Sequence, residues 1–262
     1  STRLPEAGLP TRSTTALRQE CKIPYRIDLA GGWLDQPYVS KHHPGAVLTI
    51  NIEPDYDFNN RGGMSTSSRK AAIEMWHIDI PEGDRETLAK MVFRYENPPG
   101  SPYISGSQDA IGIVMPCLNK LNYDNNYWPT NIESIKDDDV LDFIEKNLWL
   151  IPLAPRDNKY DVLADTHIDA EGAKRLADAA EACWQALIAK DIDAWGKATT
   201  ESFMAQVAMF PNMISEHVQK AIDEYKDHVK GYKITGAGGG GYLVVISDQN
   251  IDKAIQIRIR RK

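Results

Sequence analysis

Three clusters of small residues stand beside charged and hydroxyl side chains in this chain. The first is Tyr25-Arg26-Ile27-Asp28-Leu29-Ala30-Gly31-Gly32-Trp33-Leu34-Asp35, the second Gly62-Gly63-Met64-Ser65-Thr66-Ser67-Ser68, and the third Lys233-Ile234-Thr235-Gly236-Ala237-Gly238-Gly239-Gly240-Gly241. Five of six consecutive residues from Gly236 are glycine, followed by the β-prone run Tyr242-Leu243-Val244-Val245-Ile246. Glycine costs backbone entropy, so the run points to positive φ or to close backbone approach, with a phosphate-bearing ligand as one candidate and a flexible hairpin loop as the other. A Gly/Ser/Thr loop that opens a helix presents free N–H groups and hydroxyls at the positive end of the helix dipole, which suits a polyphosphate and Mg²⁺, while an ordinary Ser/Thr N-cap is the commoner reading of such a cluster taken alone. Arg69-Lys70 in the first turn opposes the dipole and is explained by a nearby anion or by solvation. Neither G-x-x-x-x-G-K-[ST] nor a glycine fingerprint opening a βαβ unit is present.

The elements that must carry these clusters follow from periodicity. Ile23, Tyr25, Ile27 and Leu29 alternate as in a strand that Gly31-Gly32 breaks; residues 45–53 read as a second strand, and 148–153 as a third. Ala71, Ala72, Met75 and Trp76 form the apolar face of a helix after the Ser/Thr loop, and Leu88, Met91, Val92 and Tyr95 that of another over 83–96, ended by Asn97-Pro98-Pro99-Gly100. A short helix or turn follows Ser105-Gly106-Ser107-Gln108-Asp109. Tyr123, Tyr127 and Trp128 surround an Asn-rich turn that reads as a hairpin rather than as a sugar-stacking platform. From about Glu171 the chain turns helical, with Trp184 and Trp195 on core faces, a third helix over 213–228, the strand 242–246 and a last short helix or strand. A composition shift near 137–147 places a domain boundary between 1–145 and 146–262.

The composition bounds the function. The chain has 262 residues, enough for one large domain or two smaller ones, and a net charge of −7, which argues against nucleic acid as a partner. No apolar run approaches the length of a membrane span, and Ser1-Thr2-Arg3-Leu4-Pro5-Glu6 lacks a signal-peptide core and reads as a mobile lead-in. The three cysteines are far apart with no C-x-x-C pair, which suits a reducing cytoplasm, and His42-His43 lacks a third ligand for a metal.

Taken together the clusters resemble the three motifs of the GHMP kinase superfamily, which includes the galactokinase, homoserine, mevalonate and phosphomevalonate kinases. The first cluster resembles the opening motif in its R-[IV]-[DS]-x-A-G-G-x-x-D form, similar to the sugar 1-kinases acting on fucose and heptose 7-phosphate. The Ser/Thr cluster resembles a degenerate G-L-G-S-S-A loop, and the glycine run is close to K-[LI]-T-G-A-G-G-G-G. Gly106-Ser107-Gln108-Asp109-Ala110-Ile111-Gly112 resembles the segment with the catalytic aspartate. The resemblance implies an α+β fold of two domains, with an N-terminal nucleotide-binding half like ribosomal S5 domain 2 and a ferredoxin-like C-terminal half. It implies an ATP- and Mg²⁺-dependent kinase placing phosphate on a hydroxyl of a sugar or sugar phosphate; a catalytically weak homologue that binds a sugar or nucleotide as a regulator is the alternative. By similarity Asp109 is the base and Arg26 its partner. Asp35, Gly32, Trp33, Gly236 and Gly238 face the acceptor, and Gly63, Ser65, Thr66, Ser67, Ser68 and Gly239 face the nucleotide. Ser67 and Glu74 are the metal candidates.

Overall fold

The computed structural model describes residues 21–56, 58, 62–155, 160–238 and 240–262. The lead-in at the N-terminus and Gly239 therefore lie outside the described residues. The chain alternates sheet and helix as an α+β fold with two antiparallel sheets.

The first sheet has the order β1-β2-β3-β4, formed by Tyr25–Ala30 (β1), Gly45–Ile52 (β2), Leu118–Tyr123 (β3) and Asn131–Ile135 (β4). The first two match the alternating runs in the sequence, and β3 and β4 are the two arms of the hairpin around Asn125-Asn126, paired from Leu118–Ile135 to Asn122–Asn131. The second sheet has the order β5-β7-β6, from Leu148–Pro152 (β5), Gly231–Ile234 (β6) and Tyr242–Ile246 (β7). The glycine run is thus the connection between two hydrogen-bonded strands, with Ile234 paired to Leu243.

Pro37–Ser40 (α1) precedes β2, and Thr66–Trp76 (α2), Arg85–Glu96 (α3) and Gln108–Val114 (α4) lie between β2 and β3. Asp138–Asn147 (α5) leads into β5, and Ala170–Ala189 (α6), Ile192–Met209 (α7) and Glu216–Tyr225 (α8) follow. Asp169 and Asp191 cap α6 and α7 by accepting from Gly172 N–H (2.7 Å) and Ala194 N–H (3.1 Å), so the two long helices start where an Asp precedes the apolar pattern. The third of these helices is shorter than its periodicity predicts, because Pro211 starts a separate 3₁₀ turn at 211–213 and Ser215 caps α8. The C-terminal stretch is extended rather than helical; it bridges Ile255 to Leu150 in one sheet and Ile259 to Ile52 in the other.

α6 packs on α7 and over β2, while α7 also meets β1 and β6. Trp184 and Trp195 are buried, as their helix faces predict. Each of the two apolar cores takes residues from both sides of residue 145: Val47, Leu121, Ile234 and Leu243 share one, and Ile27, Leu118, Leu150 and Val244 the other.

Candidate active site

β1 sets the first part of the site by simple alternation. Tyr25, Ile27 and Leu29 enter the apolar core, which turns Arg26 and Asp28 to the opposite face; both are only 3% exposed. Arg26 extends toward α4, where a Cβ on Gly112 would lie 2.0 Å from its Cγ. The missing side chain at Gly112 opens the helix face one turn past Asp109. The guanidinium therefore reaches Asp109 and makes an ion pair from Nη2 to Oδ1. Arg26 Nε also donates to Ser65 Oγ (2.6 Å), and Ser65 Oγ donates to Asp109 Oδ1 (3.1 Å). Three of the sequence motifs thus meet at one triangle of Arg26, Ser65 and Asp109. Arg26 Nη1 is buried and has no hydrogen-bond partner among the described residues.

Ser65 occupies the N-cap position of α2 in the left-handed region (φ 58°), yet its side chain caps nothing. The ordinary N-cap reading of the Ser/Thr loop therefore does not hold here; the hydroxyl is spent on Arg26 and Asp109, and Thr66 and Ser67, the first residues of an 11-residue helix, line a cavity. Arg69 has a different partner from the anion that its place in the first turn suggests. Its guanidinium lies 4.2 Å from the Tyr25 ring centroid and Nε donates to the Ile23 carbonyl (2.9 Å), so it braces β1.

The glycine run closes the cavity by sitting directly on the Gly62-Gly63 loop. A Cβ on Gly63 would meet Thr235 Oγ1 at 2.2 Å, and one on Gly236 would meet Gly63 Cα at 2.6 Å. Gly63 and Gly236 both have positive φ, 86° and 57°. Thr235 Oγ1 donates to the Gly62 carbonyl (3.0 Å) and accepts from Tyr242 N–H (3.1 Å). One demand on these glycines is therefore backbone-to-backbone contact between the two loops. A buried ion pair adds a further tie across the chain: Lys233 Nζ lies 3.2 Å from Asp28 Oδ1 and donates to the Asp28 carbonyl, with burial pulling its pKa down against the pull of Asp28.

The resulting cavity has a volume of about 290 Å³. Arg26, Gly32, Trp33, Asp35, Gly63, Ser65, Thr66, Ser67, Asp109 and Gly236 of the predicted set line it. Ser68 does not: it is buried and donates to Glu96 Oε1 (2.6 Å). Gly238 also stays outside, where a Cβ would strike Ile234 and the Met213 backbone. Glu74 is turned away as well, accepting from the exposed Tyr95 hydroxyl (2.6 Å).

Asp35 is 3% exposed and accepts from Gln108 Nε2 (3.0 Å). Burial first, and Asp109 second, raise its pKa to about 7. Trp33 stacks on Phe210 of the segment after α7, with ring centroids 4.0 Å apart. Three residues escaped the sequence reading. Glu96, at the end of α3, feels Asp109 and Arg26, and burial raises it to about 7. Gln108 adjoins the predicted aspartate, and Gln206 comes from α7 in the second half of the chain; both line the cavity. Among the described residues, no group of three or more His, Cys, Asp or Glu side chains could hold a metal, and no helix is long and apolar enough to cross a membrane.

No family model matches the chain. Among curated proteins it is 24% identical over 212 residues to the bifunctional fucokinase/GDP-fucose pyrophosphorylase of Arabidopsis thaliana; the match covers 76% of this chain but only 20% of that protein. Among solved structures it superposes on Lactococcus lactis galactokinase complexed with galactose at a TM-score of 0.62 and 13% identity, covering 91% of this chain and 92% of the other. Streptococcus pneumoniae phosphomevalonate kinase, in complex with phosphomevalonate and AMPPNP, gives 0.62 at 11% identity over 87% and 92%. With its motifs meeting in one cavity on two antiparallel sheets, the chain adopts the GHMP kinase fold.

Proposed function

We propose that the chain is an ATP-dependent kinase that places the γ-phosphate on a hydroxyl of a sugar or sugar phosphate. The observation that carries this reading is the Arg26–Ser65–Asp109 triangle at the junction of the helix-opening loop and the acceptor side of the cavity. Phosphoryl transfer needs positioning, charge neutralisation and an acceptor for the hydroxyl proton more than it needs covalent chemistry. Asp109 takes the proton from the attacking hydroxyl as the new O–P bond forms and the bond to the β-phosphate oxygen breaks, releasing ADP. Arg26 fixes Asp109 and places its positive charge beside the transferred group. The α2 amides with Thr66 and Ser67 hold the phosphates. Gly63 and Gly236 keep that loop in place, and Gly32, Trp33 and Asp35 face the acceptor.

Mg²⁺ fits the donor set: such ions commonly use one or two carboxylates plus substrate phosphates, and Glu96 supplies a half-buried carboxylate that accepts from Ser68, the residue that follows the exposed Ser67 in α2. When bound, the ion neutralises charge on the phosphates; Glu96 replaces Glu74 as the acidic candidate, with Ser67 retained. Residues 1–145 then form the nucleotide-binding half and 146–262 the second half of a cytoplasmic enzyme of the sugar 1-kinase branch, as the weak fucokinase likeness favours.

The test is transfer of radiolabel from γ-labelled ATP with Mg²⁺ to a panel of aldoses and sugar phosphates, with thermal stabilisation by ATP measured in parallel. Turnover of at least one acceptor is expected. Absence of both turnover and stabilisation by ATP would refute the kinase, and binding without turnover would favour a regulatory protein.

A further inference from the structure

The acceptor wall contains two glutamines whose amides are oriented by their partners. Gln206 is 1% exposed, and its Nε2 donates to the Gly32 carbonyl (3.0 Å). A carbonyl can only accept, so the amide nitrogen must face Gly32 and Oε1 must face away. That oxygen is buried and has no partner among the described residues. Gln108 repeats the pattern: Nε2 is held by Asp35, and Oε1 is buried without a partner. Native proteins rarely leave buried carbonyl oxygens unpaired, since each costs about 1–3 kcal/mol. Gln108, Gln206 and Asp35 all line the cavity, and two unpaired oxygens on residues of its lining ask for hydroxyl donors from outside the chain. Next to them, α7 and the residue after it hold the Gly32-Trp33 turn twice, through Gln206 on the Gly32 carbonyl and through Phe210 stacked on the indole. Trp33 is held with φ at 89°, an unusual backbone for a tryptophan, and it lines the same cavity.

We propose that Gln206 determines acceptor specificity, its Oε1 accepting one hydroxyl of a sugar ring whose neighbouring hydroxyls meet Gln108 Oε1 and Asp35 and whose carbon face lies on Trp33. The proposal deepens the kinase reading, on which its acceptor site rests. It assigns the second half of the chain a part in choosing the substrate.

The test is binding to the full chain of D-galactose, L-fucose and their monodeoxy forms, by calorimetry without ATP, with turnover measured separately. The wild type is expected to bind one parent sugar and to lose about tenfold in affinity for one deoxy form. Gln206→Met should weaken the parent sugar about tenfold and leave that same deoxy form unchanged, so that the discrimination disappears at one hydroxyl only. Should methionine prevent folding, Gln206→Asn, which withdraws the carbonyl by one methylene, is read the same way. A uniform weakening of every sugar would mean that Gln206 only holds Gly32, and would overturn the proposal. So would no change, or no binding of any sugar by the wild type. The expected pattern without ATP turnover would refute the kinase and leave the assignment of Gln206 standing; turnover with uniform weakening would do the reverse.

Discussion

Asp35→Asn should make the protein more stable, and by an amount that depends on pH. The carboxyl is 3% exposed, receives one hydrogen bond from Gln108, and lies in the field of Asp109. Burial and Asp109 raise its pKa from 3.8 to about 7. Because the folded-state pKa is raised, the folded protein binds a proton that the unfolded chain releases between pH 4 and 7. Stability from this group is therefore fully present below pH 4 and is lost as the pH rises to 7. A pKa carried from 3.8 to about 7 corresponds to about 4 kcal/mol over that window. Asparagine has the same shape, can accept the same bond from Gln108 Nε2, and carries no charge to bury. The two proteins should melt close together at pH 4 and diverge up to pH 7.5, the variant melting about 8 °C or more higher at roughly 2 °C per kcal/mol for a chain above 150 residues. Differential scanning calorimetry of both proteins at four pH values measures this. A gap that is constant with pH, or a variant that becomes relatively less stable as the pH rises, would refute the argument. The same variant should bind acceptor more weakly, so that stability gained is function lost.

Lys233→Met should be destabilising by about 3–5 kcal/mol, because it leaves the Asp28 carboxylate buried without its cation; chemical denaturation reads it, and Asp28→Asn in the same chain should recover part of the loss. Gly112→Ala should destabilise by about 1–3 kcal/mol despite the better helix propensity of alanine, since the new methyl would lie 2.0 Å from Arg26 Cγ, and it should lower turnover by displacing Arg26 from Asp109. Thermal melting and kcat together check it; an unchanged kcat would show that Arg26 does not depend on that path.

Much of the site was legible because its signals are local. The alternation through β1 turns Arg26 and Asp28 to one face. The Ser/Thr loop before α2 and the glycine run before β7 each mark a backbone with special demands. What the sequence concealed is what distant elements do to one another. Glu96 sits at the end of a half-exposed helix and has the pattern of a surface residue; only the packing of α2 on α3 brings it to Ser68. Gln206 lies 174 residues from Gly32 in the chain, on a helix whose pattern reads as core. Arg69 drew an anion reading from its place in a helix first turn, where the ring of Tyr25 supplied a different partner. The C-terminal alternation of Ile255, Ile257 and Ile259 carries the strand period, but its partners are in both sheets, which no local pattern names. Likewise the composition shift near residue 145 is visible, while the two cores that cross it are not.

Asp109, fixed by Arg26 and Ser65, is placed to accept the proton in the proposed phosphoryl transfer. The most direct test of that role is rapid-quench measurement of γ-phosphate transfer from ATP to an accepted sugar in a single turnover, comparing the wild type with Asp109→Asn. Transfer should slow by about 10²–10⁴-fold while stabilisation by ATP and sugar is largely kept. Near-normal transfer in the variant would contradict it.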